Sequence, residues 1–150
     1  MIKLKTFGSF TVGNDLTFVQ EGAWRSEKLE KLFVYLAMNR NRGVCIEDIS
    51  EAIWQVEEET DNPVGALKNL AYRLRKALRD ASFDEECIVS VRGGLYKWND
   101  DVEVTIDVEE FDRYINEAEM AFCRSKETAI ESYEKAIALY HGDFLPLRTD

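Results

Sequence analysis

Apolar and polar residues alternate over residues 2–19, in the short runs IKLKTF, SFTV and LTFV. An alternation with a period of two is typical of half-buried β-strands. Gly8 and the Gly13-Asn14-Asp15 sequence interrupt these runs, and residues of this kind favour tight turns. The pattern therefore predicts a small antiparallel sheet at the N-terminus.

The apolar spacing then changes to three and four residues, which is the period of an amphipathic helix. Ser26 is a good N-cap for a first helix over about 27–39, and a second helical pattern follows over 46–54. The residues expected to face inward from this second helix are Ile46, Ile49, Ala52 and Ile53.

A third helix is predicted over 63–80, capped by Asn62 or Asp61 and opened by Pro63, whose missing N–H costs nothing at that position. Its apolar stripe consists of Leu67, Leu70, Ala71, Leu74, Ala77 and Leu78. Between Asn62 and Arg79 the rest of its surface carries five cations and no acid: Lys68, Arg73, Arg75, Lys76 and Arg79. Such a helix can bury one side in a core and present the other to a polyanion such as DNA.

A hairpin is predicted over 87–98, where CIVSV and LYKW flank Arg92-Gly93-Gly94 and the glycines supply positive φ angles. The run VEVTI is a further strand candidate. Two helical patterns follow, over 108–122 and 128–140, with small alanines among aromatic residues as in tetratricopeptide-like repeats. The residues expected to line them are Phe111, Ile115, Ala118 and Phe122, then Ala129, Ile130, Tyr133, Ala136, Ile137 and Tyr140.

A single helix pair cannot bury both of its faces, because such repeats depend on stacked neighbours. We therefore expect that the chain is either a truncated form of a longer protein or a protein that needs a partner.

The net charge of −10 over 150 residues argues at first against a nucleic-acid partner, since DNA-binding domains are usually basic. The distribution of charge weakens this objection. Residues 1–100 hold 14 Lys and Arg against 16 Asp and Glu, whereas residues 101–150 hold 5 against 13. Charges at physiological salt are screened over about 8 Å, so a basic face can act despite distant acids.

Composition excludes several other classes of protein. The hydrophobic content of 45 % is sufficient for a folded core, and no apolar run approaches the ~20 residues of a membrane span. The N-terminus lacks the apolar block of a signal peptide, so a cytoplasmic protein is expected.

No catalytic, metal or cofactor site is predicted. The three cysteines, Cys45, Cys87 and Cys123, are far apart and odd in number, which favours neither a disulfide framework nor a zinc site. The single histidine, His141, has no nucleophile or acid pattern around it. We expect that the protein is not an enzyme.

The order of the predicted elements and several sequence segments resemble those of a known family. WRSEKLEKLFVYLA, IEDISEAIW and DNPVGALKNLAYRLRKAL resemble the three helices of the SARP/AfsR-like bacterial transcriptional activators, and VRGGLYKW resembles their wing. DVEEFDRYINEAE through ALYHGDFLP resembles the opening of the bacterial transcriptional activator domain. The resemblance implies an α+β fold: an OmpR/PhoB-type winged helix-turn-helix over 1–105, with an N-terminal antiparallel sheet, followed by the start of a helical activator domain over 106–150.

The resemblance also implies a function, namely sequence-specific binding of double-stranded DNA with the third helix in the major groove and the wing on the minor groove. Asn69 and Arg73 would then read bases, because asparagine pairs with adenine and arginine with guanine. Lys68, Tyr72, Arg75, Lys76 and Arg79 would contact the DNA backbone. The remaining predicted contacts are Arg92 and Lys97 on the wing, and Arg25 and Ser26 at the start of the first helix.

Several alternatives stay open at this point. Arg75 could instead pair with an acid of the protein. The acidic segment 57–61 stands where the family's loop contacts RNA polymerase, although it could equally be a solvated turn. We expect a homo-oligomer on DNA, and activation rather than repression. The competing interpretation is a protein-interaction adaptor that uses the winged helix and the acidic helical pair.

Overall fold

A computed structural model describes residues 1–54 and 62–144. It contains the predicted elements in the predicted order, so the α+β fold class is confirmed. The strands are β1 (Ile2–Lys5), β2 (Thr11–Gly13), β3 (Phe18–Val19), β4 (Ile88–Val91), β5 (Leu95–Trp98) and β6 (Val104–Ile106). The helices are α1 (Glu27–Met38), α2 (Ile46–Ile53), α3 (Pro63–Asp80), α4 (Asp107–Ala121) and α5 (Lys126–Leu139).

The N-terminal sheet has the strand order β3-β2-β1-β6. The three N-terminal strands pair antiparallel, as the alternation predicts, with Leu4 opposite Val12. β6 then joins the free edge of β1 in parallel, with Leu4 opposite Ile106. The predicted strand in VEVTI therefore exists, and it makes the sheet mixed rather than purely antiparallel.

The core lies between this sheet and the three helices of the winged helix. Leu4, Val12, Phe33 and Leu74 are all at most 1 % exposed, and Trp98 from β5 packs its ring 5.2 Å from that of Phe33. One inward residue of α2 was wrongly predicted, because Ala52 is exposed. The cause is that α2 is short and buries only Ile49 and Ile53.

The helical pair α4–α5 is attached to the end of β1. The Phe7 ring lies 5.5 Å from that of Phe111 and 5.3 Å from that of Tyr140. The Gly8 amide donates to the Asp143 carbonyl at 2.8 Å, and a β-bridge joins Phe7 to Phe144. The chain that leaves α5 thus returns to the N-terminal sheet.

The outward side of the pair is not covered by any described residue. Phe122, Ile130 and Ile137, which were expected to line the two helices, are 56, 54 and 69 % exposed, whereas Tyr140, at 51 % exposed, contacts the Phe7 ring. The buried residues of α4 are Asp107 and Ala118, and those of α5 are Ala129, Ser132 and Ala136. Two antiparallel helices bury one stripe each, so apolar residues on a second stripe remain in solvent.

Candidate nucleic-acid interface

The orientation of α3 is fixed by its apolar stripe and by its N-cap. Leu67, Leu70, Ala71, Leu74 and Leu78 are buried against the core, which leaves the opposite side of the helix in solvent. The Asn62 side chain accepts a hydrogen bond from the Gly65 amide at 3.0 Å, which satisfies a free N–H of the first turn. A Cβ at position 65 would lie 2.6 Å from Asn62 Nδ2, so glycine there makes room for the cap.

The solvent side of α3 presents most of the predicted contact residues together. Lys68, Asn69, Tyr72, Arg73, Lys76 and Arg79 are all exposed. Lys68, Tyr72 and Lys76 follow one another at intervals of four, and Asn69 and Arg73 form the adjacent row, so these side chains share one face. Among the described residues, neither Lys68, Arg73 nor Arg79 takes part in an ion pair. Their charges are therefore available to an external anion.

Arg75 differs from these residues because it points toward the hairpin. It is only partly exposed, and its Nη2 donates to the Ile88 carbonyl at 3.4 Å. No acid in the described ranges forms an ion pair with Arg75, so the alternative of a protein acid as its partner has no support there. The side chain links α3 to β4, and this position sets it apart from the exposed cations.

Two lysines of the predicted interface are engaged by neighbouring acids. Lys76 Nζ lies 3.0 Å from Asp80 Oδ2, and both side chains are more than half exposed. Lys97 forms an ion pair with Asp100, and its own side chain is 20 % exposed. The sequence reasoning did not assign a role to Asp80 or Asp100, although the i, i+4 spacing of the first pair was a visible signal.

The wing is the β4–β5 hairpin. Its register pairs Ile88 with Trp98 and Val91 with Leu95, so Arg92-Gly93-Gly94 forms the turn, as predicted. Gly93 and Gly94 have φ angles of +83° and +73°, which L-amino acids with side chains rarely adopt. Arg92 is exposed at this turn.

A backbone bridge connects the wing to the segment before α2. The Val44 amide donates to the Tyr96 carbonyl at 2.7 Å and the reciprocal bond is 3.0 Å. The two bonds make Val44 and Tyr96 an isolated antiparallel β-bridge. It fixes the hairpin beside the helices, while Leu95 fills the space over Gly43.

The start of α1 contains the last two predicted contacts. Ser26 is the N-cap, and its Oγ accepts from the Leu29 amide at 3.3 Å. Arg25 is exposed and has a φ angle of +51°, which is uncommon for a residue other than glycine. The exposed Arg25 side chain therefore lies next to a helix N-terminus, where backbone N–H groups favour an anion.

The acidic segment 57–61, with its suggested RNA polymerase contact, lies outside the described residues. Within them, no group of three or more His, Cys, Asp or Glu side chains could hold a metal ion. No helix in the described ranges has the length and hydropathy needed to cross a membrane.

Comparisons with known proteins agree with this geometry. The sequence family described as "Transcriptional regulatory protein, C terminal" matches residues 21–98, from the approach to α1 to the end of the wing. No curated protein sequence is similar enough to count as a match.

Among solved structures, the chain is similar to EmbR of Mycobacterium tuberculosis in complex with a low-affinity phosphopeptide, with a TM-score of 0.72 and 22 % identity. The match covers 96 % of this chain and 37 % of the EmbR chain, so the present chain spans little more than a third of that protein. At this identity the likeness establishes the fold alone. The family match and the shared fold confirm the predicted OmpR/PhoB-type winged helix. The chain belongs to the family of transcriptional regulatory proteins defined by this C-terminal domain.

Proposed function

We propose that the protein binds double-stranded DNA sequence-specifically, with α3 in the major groove and the β4–β5 turn at the minor groove. The observation that carries this proposal is the solvent face of α3, where Lys68, Arg73 and Arg79 are exposed and form no ion pair with any described residue. A phosphate backbone supplies the negative charge that such a face can neutralise, with release of counterions.

The residues of this face would divide between two tasks. Asn69 and Arg73 lie on adjacent turns of one row and have the donor geometry to read adenine and guanine. Four others, Lys68, Tyr72, Lys76 and Arg79, would contact the DNA backbone and fix the position of the helix without selecting a sequence.

Contacts outside α3 would extend the footprint. Arg92 and Lys97 would reach phosphates beside the minor groove, and Arg25 with the Ser26 end of α1 would hold one more. Because the Arg75 guanidinium faces β4, we assign this residue to supporting the hairpin, and we expect it to contact DNA less than its neighbours do.

We further propose that the chain acts as a homo-oligomer on repeated half-sites, as a cytoplasmic activator of transcription, and without catalytic activity. RNA polymerase would be contacted through the acidic segment 57–61. Within this scheme residues 1–105 form the DNA-binding unit, and residues 106–150 form the start of a helical activator domain that mediates assembly or signal coupling.

The adaptor function is the second candidate, and one observation favours it. Ile130 and Ile137 on α5 and Met120 on α4 are 54, 69 and 78 % exposed, and exposed apolar side chains of this size are frequent in protein-binding surfaces. In that case the helical pair would bind a protein, and the face of α3 would have no nucleic-acid partner.

A binding experiment distinguishes the two functions. Selection from random duplexes gives a cognate site, and binding is then measured over a range of salt for wild type, Arg73→Ala and Arg79→Ala. Arg73→Ala should cost about 1–3 kcal/mol on the cognate site and relax specificity there. Arg79→Ala should weaken all duplexes alike and lower the salt slope by about one unit.

Arg124→Ala is the matched control, because Arg124 is an exposed arginine at the turn between α4 and α5. It should bind like wild type. If both α3 variants bind DNA as tightly as wild type, α3 is not the DNA-contacting element and the adaptor function is favoured.

A further inference from the structure

Two of the lysines that the proposed function assigns to DNA already hold an anion in the free protein. Lys76 Nζ is 3.0 Å from Asp80 Oδ2, and Lys97 pairs with Asp100. The exposed cations of the proposed interface that form no ion pair with any described residue are Arg25, Lys68, Arg73, Arg79 and Arg92. The proposed interface therefore contains two kinds of cation, those without an ion pair and those already paired with an aspartate.

The two acids lie at comparable places in their elements. Asp80 is the last residue of α3, and Asp100 follows the end of β5 by two residues. Their side chains are 66 and 72 % exposed, so both carboxylates are accessible from solvent. A carboxylate in that position presents to the ammonium group the same acceptor chemistry that a DNA phosphate would present.

The relative strengths of the two contacts decide what happens on DNA. An exposed ion pair changes an equilibrium by a factor of only about 1.4 to 5. Contact with a phosphate also releases a condensed counterion, and this term dominates the affinity of proteins for DNA. A lysine that can reach a phosphate therefore leaves its aspartate.

We propose that Asp80 and Asp100 are intramolecular substitutes for two DNA phosphates, which must be exchanged when the protein binds. The inference rests on the proposed function of the α3 face and the wing. Each exchange lowers the affinity for every duplex, whatever its sequence, by a factor of about 1.4 to 5. The two pairs together weaken binding to cognate and random duplexes alike, while the base-reading residues keep their discrimination.

A double-mutant cycle tests the exchange at the first pair. Dissociation constants for a cognate and a random duplex are measured for wild type, Asp80→Asn, Lys76→Gln and the double variant. Asp80→Asn should tighten both complexes by a factor of about 1.4 to 5 in the presence of Lys76, and much less in the Lys76→Gln background. The salt slope should stay unchanged by Asp80→Asn, because Lys76 contacts phosphate in either case.

The second pair has a matched control in the same turn. Asp100→Asn should tighten binding as Asp80→Asn does. Asp101→Asn removes the same charge one residue away, from an exposed side chain with no ion pair in the described residues, and should change binding much less.

The outcomes separate this inference from the proposed function. If Asp80→Asn lowers the dissociation constant equally with and without Lys76, Asp80 acts only by repelling DNA, and the proposed exchange is overturned. A salt slope steeper by about 0.9 in Asp80→Asn would also overturn it, since Lys76 would then remain on Asp80 in the wild-type complex. If Lys76→Gln and Arg73→Ala both leave binding unchanged, the proposed interface itself is wrong.

Discussion

The carboxylate of Asp107, the first residue of α4, attaches the helical pair to the segment that follows β1. It is 8 % exposed, and it accepts hydrogen bonds from the Thr6 amide at 2.9 Å, the Thr6 hydroxyl at 2.7 Å and the Phe7 amide at 3.0 Å. It also accepts from the Val108 amide at 2.8 Å, at the start of its own helix. We predict that replacing Asp107 destabilises the whole chain.

The magnitude follows from the number of donors left without an acceptor. In Asp107→Asn one carboxylate oxygen becomes an NH₂ group, which faces a donor and leaves about one buried N–H unsatisfied, at a cost of about 1–3 kcal/mol. In Asp107→Ala, all donors from the end of β1 lose their acceptor. Water that enters the site offsets part of this loss, so we expect about 3–5 kcal/mol.

Urea unfolding followed by far-UV circular dichroism measures both changes, and Asp112→Asn serves as the control. Asp112 is an exposed acid on the same helix, so its replacement should change the free energy of unfolding by less than about 0.5 kcal/mol. If Asp107→Asn changes the free energy of unfolding no more than Asp112→Asn does, the reasoning from unsatisfied donors is refuted. Equal costs for the asparagine and alanine variants would also refute it.

Three further predictions concern the core, the wing and the thiols. Leu74→Ala should cost about 2.5–5 kcal/mol in urea unfolding, because this side chain is 0 % exposed on the inner face of α3. Gly94→Ala should cost about 1 kcal/mol, from the φ angle of +73° alone, since nothing lies within 4 Å of the added Cβ. Burial, reinforced by Glu85, raises the pKa of Cys87 from 9.0 to about 12, so a thiol reagent near neutral pH should label the exposed Cys123 and leave Cys87 unmodified until unfolding.

The same shift has a consequence at high pH. The native state holds the Cys87 proton more tightly than the unfolded chain does. Its contribution to stability is therefore complete below pH 9.0 and is lost as the pH rises toward 12. A Cys87→Ala variant should show a weaker decline of stability over that interval, when unfolding is followed at a series of pH values.

The helices and the hairpin of the winged helix were predictable because their signals are local. The leucine spacing of α3 recurs within four residues, and burial of Leu67, Leu70, Leu74 and Leu78 follows the predicted stripe. Arg92-Gly93-Gly94 likewise needs only its neighbours to form a turn. The grouping of cations on one face of α3 follows from the helical period alone.

Contacts between residues distant in sequence were decided only by the tertiary structure. β6 pairs with β1 across about a hundred residues, and Asp107 meets Thr6 over a similar separation. Neither strand carries a pattern that selects parallel pairing, because alternation specifies which face is buried and leaves the neighbouring strand open.

The same limit applies to individual side chains on helices whose period was correctly predicted. Ile130 and Ile137 have the apolar character of core residues, yet they are exposed because no described element packs over their side of α5. Arg75 has the charge of a DNA contact, yet it is turned toward Ile88 by the position of the hairpin. Sequence period fixes the side of a helix on which a residue lies, whereas the neighbouring elements decide whether that side meets protein or solvent.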